Sequence, residues 1–204
     1  MLVLHQMQMS GNCYKVRLAA KQAGIPLVLR DYPVLGCDTR KPEFLARNPN
    51  GRVPLLEWKD GRTLAESNAI VWHISENSAL APPDSWSRAK ALSWMFFEQY
   101  SHEPYIAVAR FWLAYAPKDE LEKKHHLIPE WHAKGNAALA VMNQHLGTND
   151  WFAGERYSVA DIALFAYTHC AGEGGFDLLA FPAVVRWLDR VRDQPRHIPL
   201  SERW

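Results

Sequence analysis

Three short stretches of this chain combine residue types that could do chemistry. The first is Ser10-Gly-Asn-Cys-Tyr-Lys-Val16, where a hydroxyl, an amide and a thiol crowd the start of a helical pattern. Ser10 and Asn12 both carry donors, and the positive end of a helix dipole favours an anion there, a thiolate included. The second is Asn48-Pro-Asn-Gly-Arg-Val-Pro-Leu-Leu-Glu57, a turn running straight into a strand that opens on Val53-Pro54. Proline has no N–H for a ladder, so this is either an edge strand or a cis bond. In the cis case the main chain of Val53 turns outward and can pair with an extended peptide, as in strand addition. The third is Glu66-Ser67, opening another helix. Its unsatisfied N–H groups suit a carboxylate, although Ser67 could equally act as a cap.

These stretches sit in a chain of 204 residues, which fits one domain or two small ones. Hydrophobic residues make up 48% and charged residues 22%, enough for a real core. The net charge is +1 with no long run of one sign, so nothing electrostatic points to nucleic acid or an anionic membrane surface. Cys13, Cys37 and Cys170 are odd in number and widely spaced, which argues against a disulfide framework and for a reducing cytoplasm. The first ten residues lack the features of a leader, and no apolar run is long enough to span a bilayer.

The first eighty residues alternate strands and helices. Leu2-Val-Leu4 is a short strand, ended by Gln6 and Gln8. Val16, Ala19, Ala20 and Ala23 share one helical face before Gly24 and Pro26 stop it. Leu27–Leu29 reads as strand, Lys41–Arg47 as a short helix, and Leu55–Trp58 and Arg62–Leu64 as a hairpin about Asp60-Gly61. Glu66–Ser75 is helical. The order βαβαββα predicts a mixed sheet with helices on both faces. Ala79-Leu-Ala-Pro-Pro-Asp-Ser85 is a linker, and the chain beyond it is helical. Ala89, Leu92, Phe96 and Tyr100 form one stripe there, and further helices fall near 105–113, 127–146, 158–170 and 182–193. The expected domains are 1–79, a linker at 80–87, and an all-helical domain at 88–204.

A βαβαββα unit with Val-Pro opening its third strand resembles a thioredoxin-like domain, and joined to a helical domain it resembles the cytosolic glutathione transferases. The residues carrying this are Asn48–Pro54, Leu64-Ala-Glu-Ser-Asn-Ala-Ile70 and Tyr157-Ser-Val-Ala-Asp-Ile-Ala163, in order over about the whole chain. The resemblance implies glutathione as co-substrate: a cis Val53-Pro54 on its cysteinyl unit, Glu66 and Ser67 on its γ-glutamyl end, and Arg52 reaching its glycyl carboxylate. It implies that Ser10 or Asn12 activates the thiol. Ser10 matches the serine of theta- and zeta-like classes, and Asn12 the asparagine of the nu-like class. Zeta-like enzymes show Ser-Ser-Cys where this chain has Ser10-Gly11-Asn12, which argues against isomerase activity. Tyr105, Arg110 and Trp112 fall where related proteins receive the electrophile. The resemblance implies a small hydrophobic electrophile and a homodimer as partners, and Trp94-Met-Phe-Phe97, with more apolar surface than one helix face can use, adds some support for the dimer. Reduction of disulfides or peroxides, and a non-catalytic interaction module, are the other implied functions.

Several signals are set aside. Cys13 reads as a small residue packing the helix start. Tyr157-Ser-Val-Ala-Asp161 is a capping box, with Asp161 structural. No histidine cluster has metal-ligand spacing, so no metal is expected. Ala171-Gly-Glu-Gly-Gly175 is a loop.

Overall fold

The computed structural model describes residues 1–33 and 36–203. Met1–Ala81 and the segment from Pro195 onward form one compact unit, and Pro82–Gln194 form a second.

The first unit contains the strands β1 (Leu2–Gln6), β2 (Leu27–Asp31), β3 (Leu55–Glu57) and β4 (Thr63–Ala65), and the helices α1 (Gly11–Ala23), α2 (Pro42–Leu45) and α3 (Ser67–Ser75). Sheet order is β2-β1-β3-β4, with β1 and β2 parallel and the remaining pairs antiparallel. This is the mixed thioredoxin-like sheet expected from βαβαββα. α1 ends where Gly24 adopts φ 73°, a left-handed conformation that glycine takes without strain.

β1 runs on to Gln6, past the Leu2–Leu4 run, because its polar residues are buried with partners. His5 has Nδ1 2.8 Å from the Tyr32 hydroxyl and Nε2 2.7 Å from Glu57. Arg47 donates to the same Glu57 oxygen at 2.9 Å. Burial holds the His5 imidazole below its ordinary value, and the His5 hydrogen bond, helped by Arg47, holds the Glu57 carboxyl down. The network fastens β1 to β3 and to the chain just after α2. Phe44 of α2 packs edge-on to His5, covering that face of the sheet.

One domain boundary is corrected. The segment from Pro195 onward, expected in the helical domain, belongs to the first unit. The Tyr14 hydroxyl donates to the Ile198 carbonyl at 2.6 Å, and the buried Arg17 donates to the carbonyls of Gln8 at 3.0 Å and Leu200 at 2.8 Å. Ile198 and Leu200 are buried with it. Likewise the helical region starts at Ser85, inside the stretch expected as linker, because Asp84 accepts the amides of Trp86 and Ser87 and caps the helix.

The second unit comprises α4 (Ser85–Phe97), a π-helical turn at Glu98–His102, α5 (Glu103–Ala114), α6 (Lys118–Glu122), α7 (Ile128–Leu146), α8 (Val159–Thr168) and α9 (Pro182–Arg192), with short 3₁₀ turns between. Every residue of α8 is buried, and Trp187 of α9 packs edge-on to Phe152. The capping box forms as expected: Asp161 accepts the Ser158 amide at 3.0 Å. It also accepts the Phe152 amide at 3.3 Å and the Trp187 indole N–H at 3.0 Å, joining three segments. Gly135 inside α7 has a packing reason, since a Cβ there would collide with the ring of Phe176. The glycine-rich 171–175 stretch is a 3₁₀ turn closed by Gly175 at φ 82°.

The apolar stripe read from the sequence faces outward from α4 and the π-helical turn that follows it. Ala91, Met95, Glu98 and His102 are buried, whereas the expected stripe lies outside: Leu92 is 38% exposed, Phe96 71% and Tyr100 84%. Trp94 instead packs on Phe152 and His145. No described helix is long and apolar enough to cross a membrane.

Candidate functional site

Ser10 is the N-cap of α1, with φ −75° and ψ 124°. Its oxygen accepts the Cys13 amide at 3.3 Å, so the hydroxyl proton is directed elsewhere. Cys13 is fully buried, and its sulfur accepts the Met7 amide at 3.3 Å. Burial pushes this thiol up to about 11, so it stays protonated at neutral pH and cannot serve as nucleophile. It packs the helix start, as expected from the sequence.

The loop before β3 is built by Asn48, which is buried. Its Oδ1 accepts the Asn50 amide at 3.1 Å, and its Nδ2 donates to the Arg52 carbonyl at 2.8 Å. Gly51 takes φ 62°, and a Cβ there would sit 2.9 Å from the Thr39 carbonyl oxygen. Sequence reasoning treats Asn48 only as part of a turn; its Asx pattern with Pro49 and Gly51 is the available signal. The Val53-Pro54 bond is cis, as expected from the sequence. The ladder begins at Leu55, so Val53 lies outside it. Arg52 is exposed.

Register then brings the second and third stretches together. Leu55 pairs with Ala65 across the antiparallel β3–β4 ladder, which sets Val53-Pro54 beside Glu66. Glu66 is held at φ 67° and ψ 115°, a conformation that non-glycine residues rarely adopt. α3 begins at Ser67, one residue later than expected, with Glu66 at the cap position. Ser67 does not cap its own helix: its hydroxyl donates to Asn12 Oδ1 at 3.1 Å.

That bond joins the starts of α1 and α3. Two helix N-termini, each with positive partial charge, therefore converge on one place in the first unit. The Lys15 ammonium lies there too, 3.4 Å from Ser67 Oγ. Sequence reasoning misses Lys15, since a lysine in a helical pattern reads as solvated. Such an arrangement suits an anionic, extended ligand with a carboxylate at one end and an acidic group near Ser10 and Asn12.

The remaining candidates lie on α5 in the second unit. Tyr105 and Trp112 are half-buried and, seven residues apart, share a helix face. Lys134 Nζ sits 5.1 Å from the Tyr105 ring centroid, and Phe111 packs edge-on to Trp112. Arg110 lies on a different side and is only 4% exposed. Its guanidinium donates to Glu173 at 2.9 Å and to the Tyr115 hydroxyl at 2.7 Å. Among the described residues no group of three or more His, Cys, Asp or Glu side chains could hold a metal ion.

The chain matches two family models, described as the N-terminal domain of glutathione S-transferase over residues 9–77 and the C-terminal domain over 95–195. A solved glutathione S-transferase from Pseudomonas fluorescens is 44% identical, with a TM-score of 0.94, covering 98% of this chain and 99% of that one. A theta-class enzyme from Xanthomonas axonopodis, solved with glutathione bound, is 25% identical, with a TM-score of 0.86 over 96% and 94% of the two chains. A disulfide-bond oxidoreductase of Escherichia coli strain K12 is 26% identical over 90% of this chain and 87% of its own.

Proposed function

The chain belongs to the glutathione S-transferase family, and on that premise we propose that it binds glutathione in its first unit and adds the thiolate to small hydrophobic electrophiles. The observation that supports this reading is the Ser67–Asn12 hydrogen bond, which joins the start of α3, proposed to hold the γ-glutamyl end, to the start of α1, proposed to face the thiol. In this reading Glu66 and Ser67 hold the γ-glutamyl end, at the start of α3. The main chain of Val53 pairs with the cysteinyl unit, and Arg52 reaches the glycyl carboxylate.

Ser10 and Asn12 do the chemistry. A thiol becomes a good nucleophile only when ionised. The Ser10 hydroxyl donates to the sulfur as its proton leaves to solvent, and Asn12 supports it. The thiolate then forms a carbon–sulfur bond with the electrophile and displaces its leaving group. Tyr105, Arg110 and Trp112 are proposed to serve the electrophile, Tyr105 and Trp112 by contact and Arg110 by holding α5 through Glu173. The exposed Leu92, Phe96 and Tyr100 stripe, running from α4 into the π-helical turn, is proposed to be covered by a second copy of the chain. The three cysteines form no disulfide, which suits the cytoplasm.

A second reading, glutathione-dependent reduction of disulfides or peroxides, is favoured by Asn12 lying at the site and by the similarity to the bacterial oxidoreductase. Parallel assays with a chloronitrobenzene and a glutathione mixed disulfide separate the two. Faster turnover of the aromatic substrate is expected; activity confined to the disulfide would favour the second reading.

A further inference from the structure

Beneath the meeting point of Asn12 and Ser67 lies a cation that the conjugation chemistry does not use. Lys15 follows Asn12 by three residues on α1, so the two share a helix face. It is fully buried, and Ser67 beside it is 5% exposed. Lysine is rarely so buried, and its presence at the start of two helices needs an account. The ammonium donates to Ser67 Oγ at 3.4 Å, and that hydroxyl donates to Asn12 Oδ1 at 3.1 Å.

The polarity of this chain of hydrogen bonds runs from its charged end. An ammonium has donors only, whereas a hydroxyl can donate or accept and an amide can present either its oxygen or its NH₂. With Lys15 in place, the Ser67 oxygen accepts from the ammonium and its proton goes on to Asn12. The Ser67 proton then needs an acceptor, which Asn12 supplies with Oδ1, turning its Nδ2 donors the other way. We propose that Lys15 is a positioning residue that, through Ser67, sets the orientation of the Asn12 amide so that its NH₂, rather than its carbonyl, faces the bound thiolate. The opposite orientation would set a carbonyl oxygen against a sulfur anion. A chain of hydrogen bonds that begins on a full charge also polarises each later donor, making the Asn12 amide a better one. This inference rests on the proposed binding of glutathione with its sulfur near Asn12.

The test is the pKa of glutathione's thiol in the complex, read from thiolate absorbance against pH, for Lys15→Met, Ser67→Ala, their double variant and Asn12→Ala. Methionine keeps the length of the side chain and removes the charge. Lys15→Met is expected to raise the bound-thiol pKa by about half to one unit, a roughly three- to tenfold loss of thiolate near neutral pH. Adding Lys15→Met to Ser67→Ala should raise it no further, because the relay is already cut. A packing role for Lys15 would lower the melting temperature without this non-additive pKa pattern. If Lys15→Met does not fold, Ser67→Ala alone decides, and an unchanged thiol pKa there overturns the relay. If Asn12→Ala raises the pKa while neither Lys15→Met nor Ser67→Ala does, the relay fails and the conjugation reading stands. If wild-type protein binds no glutathione, the conjugation reading itself fails and the relay with it.

Discussion

Replacing Asp161 with alanine removes the acceptor for four buried donors at once: the amides of Ser158 and Phe152, the Ser158 hydroxyl and the indole of Trp187. A buried donor left without a partner costs about 1–3 kcal/mol. Losses within one network are not additive, so the expected destabilisation is about 3–5 kcal/mol rather than the sum. For a chain of this size that lowers the melting temperature by roughly 10 °C. Thermal unfolding monitored by circular dichroism is the assay, with glutathione affinity measured on the folded fraction as a control. The affinity should be unchanged, since Asp161 caps a helix and touches no ligand. A melting temperature within roughly 3 °C of wild type would refute the account of Asp161 as a three-way joint. The pH dependence adds a sign. Burial pushes the Asp161 carboxyl up to about 7 in the folded chain, against an ordinary 3.8, while the Trp187, Ser158 and Phe152 donors pull the other way. A raised folded value means that the contribution is complete at acid pH and declines as pH rises through 7. The stability advantage of wild type over Asp161→Asn should therefore shrink between pH 5 and pH 8; an advantage that grows would show that the donors outweigh burial.

Three further outcomes are expected. Glu66→Gly relieves the positive φ at that position but removes a carboxylate: calorimetry should show glutathione affinity down roughly tenfold, with stability unchanged or raised by up to about 1 kcal/mol, and intact affinity would remove Glu66 from the site. Cys13→Ala should leave the bound-thiol pKa and the conjugation rate as in wild type, because its thiol, pushed up to about 11, is neutral at pH 7; loss of activity in a folded variant would reopen a cysteine mechanism. Wild-type protein should scatter light as a dimer at micromolar concentration and Phe96→Glu as a monomer, whereas a monomeric wild type would leave the exposed α4 stripe without its proposed cover.

What could be read in the sequence was local chemistry. The hairpin at Asp60-Gly61 and the Ser158–Asp161 capping box each arise from residues a few positions apart, whereas the cis Val53-Pro54 bond follows from the family resemblance, since X-Pro bonds on their own favour trans. The stripe of Leu92, Phe96 and Tyr100 shows the limit of periodicity. Spacing establishes that an apolar face exists but not which neighbour it meets, and here the buried face includes Glu98 and His102. The segment from Pro195 is held by Tyr14 and Arg17 through main-chain carbonyls. Every residue offers a carbonyl, so no pattern of side chains announces the attachment. Arg110 and Glu173 are 63 residues apart, and their pairing at 2.9 Å is set by tertiary packing alone. The candidate site was half legible for the same reason. Ser10, Asn12, Val53, Glu66 and Ser67 stand in recognisable local contexts, whereas Lys15 gains its place only when α1 and α3 meet.

The central claim is that donors at the start of α1 ionise the thiol of glutathione. It is tested most directly by titrating the thiol in complexes with wild type, Ser10→Ala and Asn12→Ala. A hydrogen bond to a charged group is worth about 1.5–3 kcal/mol, or about one to two pKa units. Ser10→Ala should therefore raise the bound-thiol pKa by about that amount and slow conjugation near neutral pH roughly ten- to a hundredfold. Its glutathione affinity should change little, with Asn12→Ala showing the smaller shift. A bound-thiol pKa identical to wild type in both variants would contradict the account and leave the activation to the helix dipole and backbone amides.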